Sequence, residues 1–102
     1  MEIINQLFDA VCYVADLEFK YNGFYYFVNS GNAVHNNENV HMVSVSKSKC
    51  SFYEAGDQGE LSDIYNSLNA NAVADTKTFF DSKIFEGKSL YEIVNDITEI
   101  NY

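Results

Sequence analysis

The apolar residues at the start of the chain recur every three or four positions, the spacing at which side chains share one face of an α-helix. The stripe comprises Ile3, Ile4, Leu7, Phe8, Val11 and Cys12. Glu2 stands where a carboxylate favours the helix dipole, and Asp9 and Asp16 fall on or near the polar side. The pattern predicts an α-helix over about residues 2–16.

The pattern changes after residue 16, where aromatic residues surround Asn22-Gly23 in the stretch YNGFYYF. An Asn-Gly pair between such runs is typical of a β-hairpin, because a type I′ turn needs positive φ at both central residues. The turn fixes a register that pairs Tyr21 with Phe24 and Glu18 with Phe27. One sheet face, expected to be buried, then carries Phe19, Tyr21, Phe24 and Tyr26. The opposite face, expected to meet solvent, carries Glu18, Lys20, Tyr25 and Phe27.

The rest of the chain predicts further strands and then helices. We expect a short strand at residues 33–35, a turn at 36–39, a strand at 40–46, a turn at 46–49 and a strand at 50–55. Helical spacing returns with Leu61, Ile64, Tyr65 and Leu68, which predicts a helix over about residues 60–69. Residues 69–75 read as a loop, and residues 76–86 fit no single pattern. Ser89 and Glu92 form a capping box before a closing helix, whose stripe is Leu90, Ile93, Val94, Ile97 and Ile100.

A run of strands between helical segments is typical of an α+β fold. We expect an N-terminal helix, an antiparallel sheet of three to four strands, and C-terminal helices packed on one face of that sheet. The 102 residues are the length of one domain, so residues 1–102 are expected to fold as a single domain.

The charge of the chain narrows the range of partners. Fifteen acidic residues outnumber six lysines, arginine is absent, and the formal net charge is −9. Such a charge repels phosphate backbones and anionic lipid surfaces, so neither nucleic acid nor a membrane is an expected partner. A protein with a basic surface, such as a nuclease or another nucleic-acid-binding enzyme, is favoured instead.

The cysteine count and the N-terminus bear on where the protein works. Two cysteines, Cys12 and Cys50, are too few for the disulfide framework of a small secreted domain. The N-terminus carries an acid at position 2 and lacks the basic region of a signal peptide. No apolar run reaches the ~20 residues of a membrane span. We therefore expect a cytoplasmic protein.

Motifs for chemistry are weak in this sequence. The stretch GFYYFV departs from the RNA-recognition signature, because Asn22 stands at its basic position and Tyr25 at its small position. Gly87-Lys88-Ser89 lacks the second glycine of a phosphate loop. No metal-ligand spacing occurs. We expect no cofactor, no metal and no enzymatic activity, with one alternative: a small enzyme that uses Cys50 with His35 or His41.

Acidic residues at a spacing of three are the most distinctive remaining feature. Glu54, Asp57, Glu60 and Asp63 would lie along one side of a turn that enters a helix. Their negative surface could engage a basic groove on another protein, although a solvated surface explains the same residues. Tyr25 and Phe27, if exposed, would supply aromatic anchors beside it. These six residues are the predicted partner-binding site.

The general profile is similar to that of small phage and mobile-element proteins that inhibit host defence enzymes, anti-CRISPR and anti-restriction proteins among them. It also looks like that of bacterial immunity proteins that neutralise a toxin. The first resemblance implies an inhibitor of a nucleic-acid-handling enzyme, and the second remains an alternative that neighbouring genes would separate. The oligomeric state stays open, and a homodimer is possible.

Overall fold

The computed structural model describes residues 3–50 and 61–101. An N-terminal helix leads into four strands, two helical segments and a fifth strand. Their bounds are α1 Ile3–Cys12, β1 Ala15–Tyr21, β2 Phe24–His35, β3 Glu38–Ser48, β4 Ser62–Asn69, α2 Ala72–Asp81, α3 Leu90–Ile93 and β5 Thr98–Asn101. A 3-10 turn, Val94–Asp96, joins α3 to the last strand. The α+β class is thus confirmed, with five strands where three to four were expected.

The five strands form one antiparallel sheet in the order β4-β3-β2-β1-β5. The β1–β2 hairpin has the predicted register, with Tyr21 opposite Phe24 and Glu18 opposite Phe27. Asn22 and Gly23 have φ of 52° and 85°, as a type I′ turn requires. The β2–β3 hairpin turns in the same way at Asn36 and Asn37, with φ of 52° and 65°.

The helices pack on one face of the sheet, as predicted, and enclose the core between the two layers. This inner face carries Leu17 and Phe19 from β1, Tyr26 and Val28 from β2, and Val43 and Val45 from β3. The helical layer adds Leu7, Val11, Phe79, Phe80, Leu90 and Ile93. Phe85, in the turn between α2 and α3, is fully buried against Phe19 and Tyr26. The aromatic hairpin therefore supplies the floor of the core.

The capping box before α3 is present, although the helix that it begins is short. Glu92 accepts the backbone N–H of Ser89 and pairs with Lys83, and these contacts hold the pKa of Glu92 below its ordinary value. The helix ends at Ile93, and the chain returns to the sheet as β5. The predicted long closing helix is wrong because Ile97 and Ile100 pack on the core from an extended segment.

Other boundaries also differ from the predictions. The helix expected over residues 60–69 is wrong, since this segment contains strand β4. The loop expected over residues 69–75 is wrong from Ala72 onward, because helix α2 begins there and continues into the unassigned region. Helix α1 ends at Cys12 and not near residue 16, because Ala15 already pairs with Ser30 in the sheet. Strand β3 runs through the turn predicted at 46–49. The strand predicted at 50–55 lies outside the described residues beyond Cys50.

Tyr26 gives the fold a dependence on alkaline pH. Its hydroxyl is enclosed and has no hydrogen-bond partner among the described residues. Burial, reinforced by the negative charge of Glu86, raises the pKa of Tyr26 to about 12. A tyrosine in the unfolded chain loses its proton near pH ~10. The stabilisation is therefore complete below that pH and is lost as the pH rises to the folded value.

Tyr26→Phe is expected to flatten this pH dependence. Between pH ~10 and ~12, the free energy of unfolding of the wild type should fall by about 1 kcal/mol per pH unit more than that of the variant. At pH ~8 the two should agree within about 1 kcal/mol, because the lost hydroxyl has no hydrogen-bond partner within the described part of the chain. Urea unfolding at both pH values measures the difference. Tyr91→Phe, at a half-exposed ring, is the matched control and should retain the wild-type slope.

Candidate protein-binding surface

The face of the sheet opposite the helices is termed the outer face. Because strand side chains alternate, it carries every second residue of each strand. Its members are Asp16, Glu18 and Lys20 on β1, Tyr25, Phe27 and Asn29 on β2, Met42, Ser44 and Ser46 on β3, and Asn66 and Leu68 on β4. The helices of the described ranges all pack on the inner face. The outer face is therefore left uncovered by the described helices and is the candidate surface for a partner.

Carboxylates concentrate where β1 meets β5 on the outer face. Glu99 has φ of 53°, and its carboxylate lies 3.6 Å from the Lys20 ammonium and 3.4 Å from the Tyr25 hydroxyl. The same ammonium lies 5.4 Å from the centre of the Tyr25 ring. The last strand thus brings an acid that the sequence analysis did not select beside one predicted anchor.

Asp16 and Glu18 extend this negative surface along β1. Asp16 is exposed and Glu18 half-buried, and Glu18 lies opposite Asn101 of β5. With Glu99 they give this end of the outer face three carboxylates, of which Glu99 pairs with Lys20. We refer to Asp16, Glu18, Glu99 and Tyr25 as the acidic end of the outer face.

The two predicted aromatic anchors have different environments. Tyr25 is half-buried and presents part of its ring beside the acidic end. Phe27 occupies the predicted face, opposite Glu18, but only 6% of it is exposed. The expectation that Phe27 faces solvent is wrong, because its ring is packed within the protein. Of the pair, Tyr25 alone remains accessible as an anchor.

Among the four acids spaced by three, the structure describes Asp63. It is exposed on β4, and its carboxylate accepts a hydrogen bond of 2.8 Å from the Ser46 hydroxyl. Because β4 is a strand, the helical spacing that related Asp63 to the other three acids does not apply there. Glu54, Asp57 and Glu60 lie outside the described residues. Their role in partner binding, and that of Asp63, stays a prediction.

A shallow open groove of about 550 Å³ lies beside Asp63 at the β3–β4 side of the outer face. The residues that line it are Met42, Ser44, Asp63, Ile64, Tyr65 and Asn66. The groove combines apolar side chains with hydroxyl and amide groups, and Asp63 is the charged residue among its described lining residues. This composition suits contact with a polypeptide.

A hydrogen-bonded cluster around His41 is the main buried polar group of the inner face. The ring nitrogen Nδ1 of His41 lies 2.7 Å from Oδ2 of Asp75, and Nε2 donates to the carbonyl oxygen of Val11 at 2.7 Å. The Ser67 hydroxyl donates to Oδ1 of Asp75 at 2.6 Å. The His41 and Asp75 side chains are only 1% and 2% exposed. The cluster ties β3, β4, α1 and α2 together.

The hydrogens on His41, Asp75 and Ser67 limit the chemistry that is open to this cluster. A carbonyl oxygen only accepts, so Nε2 of His41 carries a hydrogen, and a second hydrogen must lie between Nδ1 and Asp75. The pair is therefore neutral overall, either as imidazolium with carboxylate or as imidazole with carboxylic acid. Ser67 donates to Asp75 and not to an imidazole nitrogen, so the cluster lacks the serine–histidine hydrogen bond of a nucleophile and its base. The arrangement suits a structural clasp.

The residues of the alternative catalytic site, Cys50 with His35 or His41, lie far apart. His41 and Cys50 are separated along β3 and beyond its end, and the strand from His41 to Ser48 spans roughly 23 Å at the usual rise per residue. His35 is exposed at the tip of the β2–β3 hairpin, farther still from Cys50. The Cys50 amide donates to the Ser48 hydroxyl. Neither histidine is placed to act on the Cys50 thiol.

The described residues contain neither a metal-binding cluster nor a membrane-spanning helix. Within residues 3–50 and 61–101, no group of three or more His, Cys, Asp or Glu side chains could hold a metal ion. No helix in these ranges has the length and apolar character needed to cross a bilayer. Comparison with known proteins finds no matching family model, no similar curated protein and no similar solved structure.

Proposed function

We propose that this protein is a non-enzymatic binding protein that covers a basic surface of a nucleic-acid-handling enzyme and inhibits it. The type of inhibitor is that of phage and mobile-element proteins directed at host defence nucleases, as anti-CRISPR and anti-restriction proteins are, acting in the cytoplasm of the host cell. The proposed contact surface is the outer face of the sheet, centred on its acidic end.

The observation that carries this proposal is an accessible aromatic ring beside a row of acids. Glu99 accepts a hydrogen bond from the Tyr25 hydroxyl, and Asp16 and Glu18 follow along the adjoining strand β1, on a face that the described helices leave uncovered. A ring that can pack against a partner, with carboxylates at its rim, is a common arrangement at protein interfaces. The rim charges would steer a Lys- and Arg-rich partner toward the ring.

Three of the six lysines are engaged in local contacts. Lys20 and Lys83 pair with Glu99 and Glu92, and the Lys47 ammonium lies 4.2 Å from the centre of the Phe24 ring at the inner face. The formal net charge of −9, in which all six lysines are counted, gives an attractive field for a basic partner.

The salt dependence of binding tests the electrostatic part of the proposal. The probe is a purified CRISPR effector nuclease, with a restriction endonuclease as a second probe, each immobilised for interferometry. We expect affinity for at least one of them to fall tenfold or more between about 50 mM and about 500 mM NaCl, since salt screens charges across the rim of an interface. Binding that is unaffected by salt, or absent for both probes, would contradict it.

A pair of variants separates the acidic end from the overall charge. Asp16→Asn combined with Glu18→Gln should weaken binding to the same probe about tenfold, mainly through slower association. Asp81→Asn is the control, because this exposed carboxylate ends α2 in the helical layer. It should change affinity less than threefold. Because Asp81→Asn removes one charge and the double variant removes two, a logarithmic affinity loss for Asp81→Asn of at least half that of the double variant would show that total charge, and not the acidic end, drives binding.

A further inference from the structure

Among the described residues, strand β4 forms an edge of the sheet and pairs with β3 alone. The hairpin register shows which of its backbone groups face outward. His35 and Glu38 close a two-residue turn as a hydrogen-bonded pair, and such pairs alternate along an antiparallel ladder. Continued through β3, the alternation directs Tyr65, Ser67 and Asn69 toward β3. The N–H and C=O groups of Asn66 and Leu68 therefore point away from the sheet.

The two edges of the sheet differ in how they are protected. Strand β5 has four residues, a positive φ at Glu99 and a register shift against β1, all of which make an edge difficult to extend. Strand β4 has its own register shift near Ile64. From Tyr65 to Asn69 it is regular and contains no charged residue, glycine or proline. The register shift of β4 lies before this segment, and none of the protective devices of natural edge strands lies within it, so with respect to the described residues the segment is open to pairing.

We propose that this edge pairs antiparallel with the same edge of a second copy of the chain. A two-fold axis at Ser67 sets Asn66 opposite Leu68 of the second copy, and Leu68 opposite its Asn66. Both are hydrogen-bonded pairs, so all the outward groups of these two residues find partners at once. An isologous contact of this kind needs one self-complementary surface, which the short regular segment provides.

The side chains of the outer face fit the same register. Leu68 is 48% exposed although it is apolar, and Asn66 lines the groove beside Met42 and Ser44. Pairing with Asn66 places Leu68 of the second copy beside the Asn66 side chain at the edge of that groove. The two-fold axis repeats the contact on the other side. A polar partner strand would leave this leucine and groove unfilled, which favours a second copy as the occupant.

Charge and size set the strength of the association. Each copy has a net charge of −9, so the copies repel one another until salt screens them. A contact of two short strands lies at or below the lower end of stable interfaces, roughly 1,200 Å² of buried surface. The dimer should therefore be weak, and salt should strengthen it. Salt is thus expected to strengthen the dimer and to weaken the binding of a basic partner. Either proposal can therefore fail without the other.

Sedimentation velocity of the full chain, under reducing conditions because it contains two cysteines, tests the association. We expect monomer at about 10 mM NaCl and a concentration-dependent dimer at about 300 mM NaCl. Asn66→Pro removes one outward N–H, which an edge strand tolerates, and should weaken dimerisation at least tenfold. Asn66→Thr keeps that N–H and should stay within threefold of the wild type. Leu68→Lys, which keeps every N–H, should also weaken the dimer tenfold.

Hydrogen exchange of single amides tests the register without a substitution. In the monomer the Ser67 amide is protected by β3, whereas the Asn66 and Leu68 amides exchange rapidly. Raising the protein concentration at about 300 mM NaCl should slow exchange at Asn66 and Leu68 by at least tenfold and leave Ser67 unchanged. A chain that stays monomeric, a dimer indifferent to Asn66→Pro, or a dimer without new protection at these two amides would overturn the proposal.

Discussion

Replacement of Asp75 by alanine is expected to lower the free energy of unfolding by about 3–5 kcal/mol, the usual cost of removing one partner from a buried ion pair or its neutral equivalent. The variant removes the hydrogen-bond partner of Nδ1 of His41 and the acceptor of the Ser67 hydroxyl. The loss is costly because the His41–Asp75 site is buried. The substitution also releases the start of α2 from the sheet. Urea unfolding followed by circular dichroism gives the difference.

Asp75→Asn is the matched variant and sharpens the result. Its amide nitrogen can donate to Nδ1 of His41, while its oxygen accepts from Ser67, so a neutral network needs no rearrangement. We expect a loss of about 1–2 kcal/mol for this variant. A loss as large as that of Asp75→Ala would instead indicate that the native pair is ionised. An alanine variant within about 1 kcal/mol of the wild type would contradict the structural role of the clasp.

Replacement of Phe85 by alanine should be comparably severe, with a loss of about 3–5 kcal/mol in the free energy of unfolding. Phe85 lies outside every helix and strand, yet it is fully buried. Its ring centre lies 5.0 Å from that of Tyr26, 5.7 Å from that of Phe19 and 6.2 Å from that of Phe79. Removing the ring opens a cavity where the hairpin floor meets α2.

Phe85→Leu keeps most of the volume and should cost roughly half as much as the alanine variant. Tyr91→Ala is the control for a less buried aromatic residue, since its ring packs on Phe80 from a half-exposed position. It should cost about 1 kcal/mol. Thermal unfolding of the three variants ranks them, and a Phe85→Ala variant no worse than Tyr91→Ala would show that this turn does not contribute to the core.

The hairpin at Asn22-Gly23 could be predicted to the residue because its cause is local. Positive φ at two adjacent positions selects a type I′ turn, and the turn fixes the register before any tertiary contact is considered. The capping box of Ser89 and Glu92 was predictable for the same reason. In both cases the decisive contacts join residues within three positions of each other.

Strands β4 and β5 were predicted as helices because irregular pairing changes the spacing of apolar residues. Near Ile64 the register with β3 shifts, and both Ile64 and Tyr65 pack against the core. Positive φ at Glu99 similarly lets Ile97 and Ile100 reach the core three positions apart. One extra residue in a strand therefore imitates the helical period, and only the neighbouring strand reveals the difference.

Helix α2 could not be predicted from the sequence because polar residues interrupt its buried face. Its buried face carries Asp75 and Thr76 beside Phe79 and Phe80, so the apolar stripe of an amphipathic helix is interrupted. Asp75 is acceptable there because His41, far away in the sequence, completes its hydrogen bonds. The outer face was predictable in its alternation but not in its exposure, since burial of Phe27 depends on tertiary packing.

The first and last strands, β1 and β5, are adjacent in the sheet although they lie near opposite ends of the sequence. Strands β1 to β4 follow one another as a meander, so releasing β5 breaks only the β1–β5 ladder of the sheet. Such a segment can open as a local unit at less than the global free energy of unfolding. Glu99 belongs to it, and the acidic end is complete only while β5 is docked. A partner that contacts Glu99 would therefore bind the closed form alone, and its binding free energy would hold the last strand in place.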